Sequence, residues 1–474
     1  MWETVIGLEV HCELSTKSKI FCGCSAAFGG EPNTKVCPVC AGLPGALPKL
    51  NKQVVEYALR AGLALNCNIT QNCRMDRKNY FYPDLPKAYQ VSQLYYAICK
   101  NGYIDICADG KNNKRITLHQ IHMEEDAGKL IHEGNITRID CNRGGVPLLE
   151  IVSNPDMRNA DEAIAYVERL REILLFLGVS DCKMQEGSLR VDVNLSVRKQ
   201  GAKEYGVRTE TKNLNSLRSI VRAIEFERDR QIEVLESGGS LFQETRRWDD
   251  NKGIGYGMRS KANAHDYRYF PDPDFLPISI SDKWLSEVKK NLPELAHQKR
   301  DRFVGEMGLS EYDAGVITSD KKLCDLFEQI ATISKQPKEA SNLVTGDILR
   351  LQKASGNAQE DISVDGKKLA VLVDMVTGGK ISRNAYKQSV EAVFEKDVDP
   401  NDYVAKNNLM MVSDDKAARA AAKEIVAANP NAVADYKNGI AKSFGFLMGQ
   451  LMKKLGGTAS PDVARKVLTE ELEQ

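Results

Sequence analysis

Near residue 295 the periodicity of this 474-residue chain changes, and that break rules out one uniform architecture. Before it, polar and apolar residues alternate in short runs. RVDVNLSVR puts Val191, Val193, Leu195 and Val197 on one strand face and Arg190, Asp192, Asn194, Ser196 and Arg198 on the other. IGLEVHCEL does the same, with Leu8, Val10, Cys12 and Leu14 opposite Glu9, His11 and Glu13. GVRTETKNLN follows with Arg208, Glu210 and Lys212 on one face. Two amphipathic helices interrupt these strands. One starts at Asn159 as N-cap, with Glu162 placed as in a capping box, carries the stripe Ala163, Val167, Leu170, Leu174 and Leu177, and stops at Gly178. The second runs from NSLRS to Gly238. Strands and helices do not alternate regularly, so the reading is α+β with a largely antiparallel sheet.

Beyond residue 295 only helical periodicity remains, with single Gly or Pro breaks. Lys353 to Lys368 reads as a connector. After residue 405 comes an Ala-rich helix around Lys416 to Ala428, an NPN break, DYKNG, FGFLMGQLMKKLGG and PDVARKVLTEELEQ. The expected division is 1–294 as a catalytic domain, 295–405 as an all-helical domain and 406–474 as a helical tail. The 65 basic and 65 acidic residues cancel, so any nucleic-acid contact must be a local patch. Between Ala421 and Thr469, seven Lys or Arg stand against three Asp or Glu, which suits an RNA-facing module or a solvated helix face equally well. No secretory leader and no apolar run of about 18 residues is seen, so a cytoplasmic protein without a membrane span is expected.

The twelve cysteines lie between Cys12 and Cys324. Cys22, Cys24, Cys37 and Cys40 form a CxC and a CxxC pair, with Pro38, Gly23 and Ser25 favouring tight turns. Four thiolates fill tetrahedral zinc and leave no open position, so the expected site is structural. The other eight cysteines show no paired spacing and are read as core residues, with no catalytic thiol.

IHMEEDAGKL crowds His122, Glu124, Glu125, Asp126 and Lys129 together. Three consecutive acids either face solvent or meet a cation. With Asp192 and Glu210 they offer hard oxygen ligands of the kind Mg²⁺ takes. RKNYFYPDLPKAYQ supplies Arg77, Lys78 and Lys87 among Tyr80, Phe81, Tyr82 and Tyr89. Arg143 precedes a Gly-Gly turn with amides for an anion, and Lys212 and Asn213 precede a helix N-terminus. No P-loop, GxGxxG or GxSxG occurs, which removes the standard nucleotide-binding and serine-hydrolase readings.

VIGLEVHCEL, PNTKVCPVCAGLPGALPKLN, RKNYFYPDLPKAYQVSQ, HMEEDAGK, NRGGVPLLEIVS, GSLRVDVNLSVR, TKNLNSLRS, QETRRWDD, HDYRYFPDPD and, near the end, SFGFLMGQLMKK together closely resemble the GatB family of tRNA-dependent amidotransferase B subunits. The resemblance spans essentially the whole chain. It implies a ligase that uses ATP and Mg²⁺ to phosphorylate the side-chain carboxylate of Glu-tRNA(Gln) or Asp-tRNA(Asn). It then implies amidation with ammonia from an A-type glutaminase subunit, in a complex that also holds a small C-type subunit. On that pattern Glu9, His11, Glu124, Glu125, Asp192 and Glu210 form the metal and ammonia-handling cluster, with His11 and Glu125 as magnesium ligands. Lys78, Tyr80, Arg143, Lys212 and Asn213 hold ATP or the 3′ end of the tRNA. Glu13 is left as a supporting or solvated residue. Structural zinc is read from the four cysteines and not from the family. Two other readings are kept open: a non-catalytic tRNA-binding scaffold, and a free-standing carboxylate–amine ligase for a small molecule.

Overall fold

The computed structural model describes residues 1–260, 267–356, 362–411, 415–455 and 461–473. His265 and Asp266 of the HDYRYFPDPD stretch and the middle of the Lys353–Lys368 connector lie outside these residues. The chain divides into two compact units, Met1–Leu295 and Ala296–Gln474.

A ten-stranded sheet organises the first unit. Its order is Ile254–Ser260, Glu244–Asp249, Thr209–Leu214, Leu189–Lys199, Trp2–Glu13, Pro147–Ser153, Lys114–Glu125, Cys99–Lys100 and Asn68–Ile69, with Tyr103–Ile106 also pairing to Lys114–Glu125. Among these pairings only Thr209–Leu214 with Glu244–Asp249 is parallel; the others are antiparallel. The N-terminal strand thus sits mid-sheet, and its alternation decides which face is dry. Ile6, Leu8, Val10 and Cys12 enter a core shared with helices Lys52–Ala64, Ala160–Phe176 and Leu217–Glu236. All five members of the Ala163–Leu177 stripe are buried in that core. Glu9, His11 and Glu13 are left on the opposite face.

Helix boundaries follow local chemistry. The Asn159 side chain accepts from the Glu162 amide at 2.8 Å, while the Glu162 carboxylate accepts from the Arg158 amide and from Lys114, both at 2.7 Å. This is one residue off a regular capping box, since the carboxylate meets the Arg158 amide and not that of Asn159. Gly178 and Gly238 supply positive φ of 66° and 80° just beyond the two long helices, where a side chain would be strained. A smaller three-stranded sheet has Asp76–Asn79 between Tyr89–Ser92 and Phe270–Pro271.

The second unit is helical: among its described residues the only β pairing is the isolated bridge Ile381–Met410. Part of the expected connector is helix, since Leu349–Ser355 runs to a left-handed Gly356 and Gly366–Thr377 starts on an Asp365 cap. Pro430 starts a short helix, Pro430–Lys437, so NPN and DYKNG bound a helix and not a loop. Ala422, Leu447, Leu451, Val467 and Leu468 from helices Asp415–Ala428, Ala441–Lys454 and Pro461–Glu473 form a core of their own.

Candidate active site

Strand register, more than any single motif, assembles the site. Glu9 lies opposite Asp192 on one neighbouring strand, and His11 lies opposite Glu150 on the other. Glu150 in turn lies opposite His122. Directly opposed residues share a face, so His11, Glu150 and His122 form a row across three strands, and Glu124, two residues from His122, joins them. His11 Nε2 lies 3.4 Å from Glu124 Oε1, 3.5 Å from Glu150 Oε2 and 3.8 Å from Glu9 Oε1. His122 Nε2 lies 2.9 Å from Glu150 Oε2 and 3.6 Å from Glu124 Oε2. Glu9, His11, Glu124, Glu150 and Asp192 line a cleft of about 480 Å³ whose walls include Lys78, Tyr80, Gln90, Asp126, Arg190, Lys212, Asn213 and Arg247.

The electrostatics follow from packing acids around two imidazoles. Burial opposes protonation of His11, but the hydrogen bond and charge of Glu150, with Glu124 and Asp192, outweigh it and raise the ring to about 9. His122 is raised to about 10 against burial, chiefly by Glu150 and Glu124. Burial, then Glu150, pushes Glu9 up to about 7, so its carboxyl titrates near neutrality. Burial works against ionised Glu150, yet the two histidines hold it well below the usual range.

Glu9, His11 and Asp192 each place a ligand atom within 4.8 Å of the others, and so do His11, Glu124 and Glu150. Octahedral Mg²⁺ with bonds of about 2.0–2.1 Å holds its ligands about 2.9 Å apart when adjacent and about 4.2 Å apart when opposite. The 3.4–3.8 Å separations around His11 Nε2 fit that range.

The expected residues do not all converge. Glu125 follows Glu124 on a strand and points to the other side. Its carboxylate is taken by Lys87 at 2.7 Å and by the Val91 amide at 2.9 Å. The group of His11, Glu124 and Glu150, which could hold a metal ion, does not include Glu125. Glu210 is buried, accepts from Thr245 at 2.9 Å and lies 3.5 Å from Lys212. Lys212 sits within a strand, not at a helix N-terminus, and binds Asp192 at 2.5 Å. Burial pulls its ammonium down, but Asp192, Glu210 and Glu9 together hold it well above an ordinary lysine. The helix that follows is capped by Ser216 instead, whose hydroxyl accepts from the Ser219 amide at 3.0 Å. Asn213 has φ 70° and donates to the Trp248 carbonyl at 2.9 Å. Arg143 donates to the carbonyls of Ala127 and Gly128, both at 3.0 Å. The Gly144 and Gly145 amides already bond Cys141 and Asp126 carbonyls, so this turn has no amide left for an anion.

Glu150 is the residue a sequence reading passes over, while His122 and Arg190 stand out only as members of polar strand faces. The usable signal was alternation: if IHMEED is a strand, His122 and Glu124 share a face and Glu125 does not. Arg190 binds Asp126 at 2.9 Å beside the cleft.

The four cysteines form a group of their own, with all four sulfurs within 4.8 Å of one another. Zn–S bonds of about 2.3 Å in a tetrahedron require sulfurs about 3.8 Å apart, and Cys37 and Cys40 lie at 3.8 Å. The Cys22 thiol hydrogen bond outweighs burial and, with the Lys19 ammonium, pulls Cys40 down to about 4. Lys19 Nζ is 3.8 Å from that sulfur and is held by the Lys35 and Cys141 carbonyls. Of the other cysteines, Cys12, Cys73, Cys99, Cys182 and Cys324 are buried, Cys67 and Cys141 are half-buried, and Cys107 is exposed, which corrects the expectation that all eight are core.

Comparison with known proteins matches residues 4–286 to the GatB/GatE catalytic domain and residues 325–472 to the GatB domain. Curated relatives cover the chain end to end. The B subunit of the aspartyl/glutamyl-tRNA(Asn/Gln) amidotransferase of Lachnoclostridium phytofermentans is 56% identical, over 100% of this chain and 99% of its own length. That of Caldicellulosiruptor bescii is 54% identical over the same shares. That of a Thermoanaerobacter species is 53% identical over 99% of each. Among the described residues no helix is long and apolar enough to cross a membrane.

Proposed function

The chain belongs to the GatB/GatE family, and on that footing we propose how its cleft works: it activates the side-chain carboxylate of Glu-tRNA(Gln) or Asp-tRNA(Asn) with ATP and amidates it with ammonia. The chain is an enzyme component of the ligase class, of the amidotransferase B-subunit type. A carboxylate does not yield an amide directly, because oxide is a poor leaving group. Attack of a carboxylate oxygen on the terminal phosphorus of ATP, with release of ADP, gives an acyl phosphate. Ammonia then adds at the carbonyl carbon, phosphate leaves with the C–O electron pair, and the nitrogen loses a proton.

The residues divide this work. His11, Glu124 and Glu150, with Glu9 and Asp192 beside them, would hold Mg²⁺, which supplies positive charge against the transferring phosphoryl group. Lys78 and Arg247 line the cleft without a carboxylate partner among the described residues, and so remain free for phosphate. Glu9, on the same cleft wall, would take the proton that the attacking nitrogen must lose. The chain works in the cytoplasm, in a complex with an A-type glutaminase and a small C-type protein. The four cysteines would hold zinc, which would tie the Cys22–Cys40 loop together. The C-terminal helices of residues 406–474, which have their own small core, would grip the tRNA body.

The observation that carries this reading is the convergence of His11, Glu124 and Glu150, with Glu9 and Asp192, on one sheet face inside one cleft. The test uses the assembled complex with misacylated tRNA. Glu124→Gln is expected to lower both ATP cleavage and amidation by at least about 10²-fold, the scale of removing one group that stabilises transition-state charge. Unchanged rates for both would make the chain a scaffold.

A further inference from the structure

A lysine with no exposed surface is rare, because an ammonium leaves water only where something answers its charge. Lys19 is 0% exposed. Its Nζ donates to the Lys35 carbonyl at 2.8 Å and the Cys141 carbonyl at 3.3 Å, and lies 3.8 Å from Cys40 Sγ. The carbonyl oxygens satisfy two of its protons and leave its charge unbalanced. Among the described residues no carboxylate pairs with it. Of its described contacts, only the sulfur can carry negative charge. The backbone keeps Lys19 in this position. Its amide donates to the Cys24 carbonyl at 3.0 Å, so the residue is anchored on the CxC knuckle while its ammonium reaches Cys40 of the CxxC knuckle.

We propose that Lys19 is the built-in counter-cation of the four-thiolate site; this rests on the zinc reading above. Zn²⁺ bound by four thiolates carries two negative charges in excess, and burying such a group is costly unless a cation lies beside it. The fixed ammonium removes half of that excess. A lysine on the surface would do this poorly, because water and salt screen it. The cation also stands at one particular sulfur. Cys40 is buried and receives both the ammonium and the Cys37 amide, the latter at 3.1 Å. Cys22, Cys24 and Cys37 are half-buried. Lys19 therefore sits at the sulfur that water reaches least, where an uncompensated charge would cost most. Groups that touch a metal's ligands and not the metal change its affinity by about 10- to 100-fold, and Lys19 belongs to that kind.

The test uses the full chain with Co²⁺ in place of Zn²⁺ under reducing conditions. A tetrahedral cobalt site shows d–d bands set by its geometry. It also shows a sulfur-to-cobalt charge-transfer band set by the charge around sulfur. Lys19→Met keeps the length of the side chain and removes the charge. It should move the charge-transfer band to longer wavelength, because an electron leaves sulfur more easily without the cation, and leave the d–d bands in place. Zinc affinity, read by competition with a chromophoric chelator, should fall at least about tenfold. Lys19→Gln keeps a hydrogen-bond donor without the charge and should show the same two changes, so failure of Lys19→Met to fold does not remove the readout. Lys19→Arg, which keeps the charge, should return both toward the unmodified chain. A lowered thermal midpoint in the Met and Gln variants, with charge-transfer band and zinc affinity unchanged, would overturn the proposal and leave Lys19 as a tie between two carbonyls. Failure of the unmodified chain to bind zinc or cobalt at all would show separately, and would remove the zinc reading itself and this proposal with it.

Discussion

The first unit gathers two sets of metal-ligating groups, and they differ in whether their charge is already answered. Four sulfurs close on one another within 4.8 Å, with the buried Lys19 against Cys40. Such a set fills a tetrahedron and excludes substrate. Around His11 the acids outnumber the cations: Glu9, Glu124, Glu150 and Asp192 converge, and their charge raises the His11 and His122 rings to about 9 and 10. A closed set stabilises a loop, whereas an open and under-compensated set takes up charge, which is what phosphoryl transfer requires. Glu125, one residue from Glu124, belongs with the closed kind, because Lys87 and the Val91 amide already satisfy it.

The contrast can be broken at several points. The largest effect is expected at the thiolates, where zinc binding is worth on the order of 10 kcal/mol in small zinc domains. Cys37→Ser should reduce bound zinc from about one per chain to none by metal analysis and lower the thermal midpoint; full zinc retention would mean the four sulfurs are not the ligands. A smaller loss is expected from Glu125→Gln. Lys87 is 7% exposed and would lose its carboxylate, so denaturant titration should show a loss of about 3 kcal/mol. No loss would mean that Glu125 is not held as a closed pair.

The smallest effect is a pH slope at Glu13, whose carboxyl is pushed from 4.5 up to about 8 by burial and then by Asp126. Between those values the folded chain binds a proton that the unfolded chain has released, so this contribution to stability is present at low pH and is lost as pH rises toward 8. Glu13→Gln should flatten the fall in stability between pH 5 and pH 8.5. An unchanged slope would place Glu13 in solvent.

The same contrast explains what the sequence could reveal. A four-thiolate site depends on two short spacings within 19 consecutive residues, Cys22 to Cys40, and is legible directly. The long amphipathic helices and the α+β division are legible for the same reason, because period and caps are local. The open site depends on register between strands far apart in the chain. Glu150 stands in the plain apolar run VPLLEIVS and becomes a site residue only because His11 and His122 pair to either side of it. Lys212 and Asn213 read as a helix approach, yet the strand continues through Leu214 before Ser216 caps the helix.

Divalent-cation binding by the assembled complex, compared between Glu150→Gln and the unmodified chain with zinc measured in parallel, tests the central claim most directly. Glu150→Gln should weaken Mg²⁺ or Mn²⁺ binding at least about tenfold and lower ATP cleavage with it, while zinc stays at about one per chain. Unaltered cation affinity with unaltered ATP cleavage would contradict the claim that the row His11, Glu150 and His122 builds the reactive site.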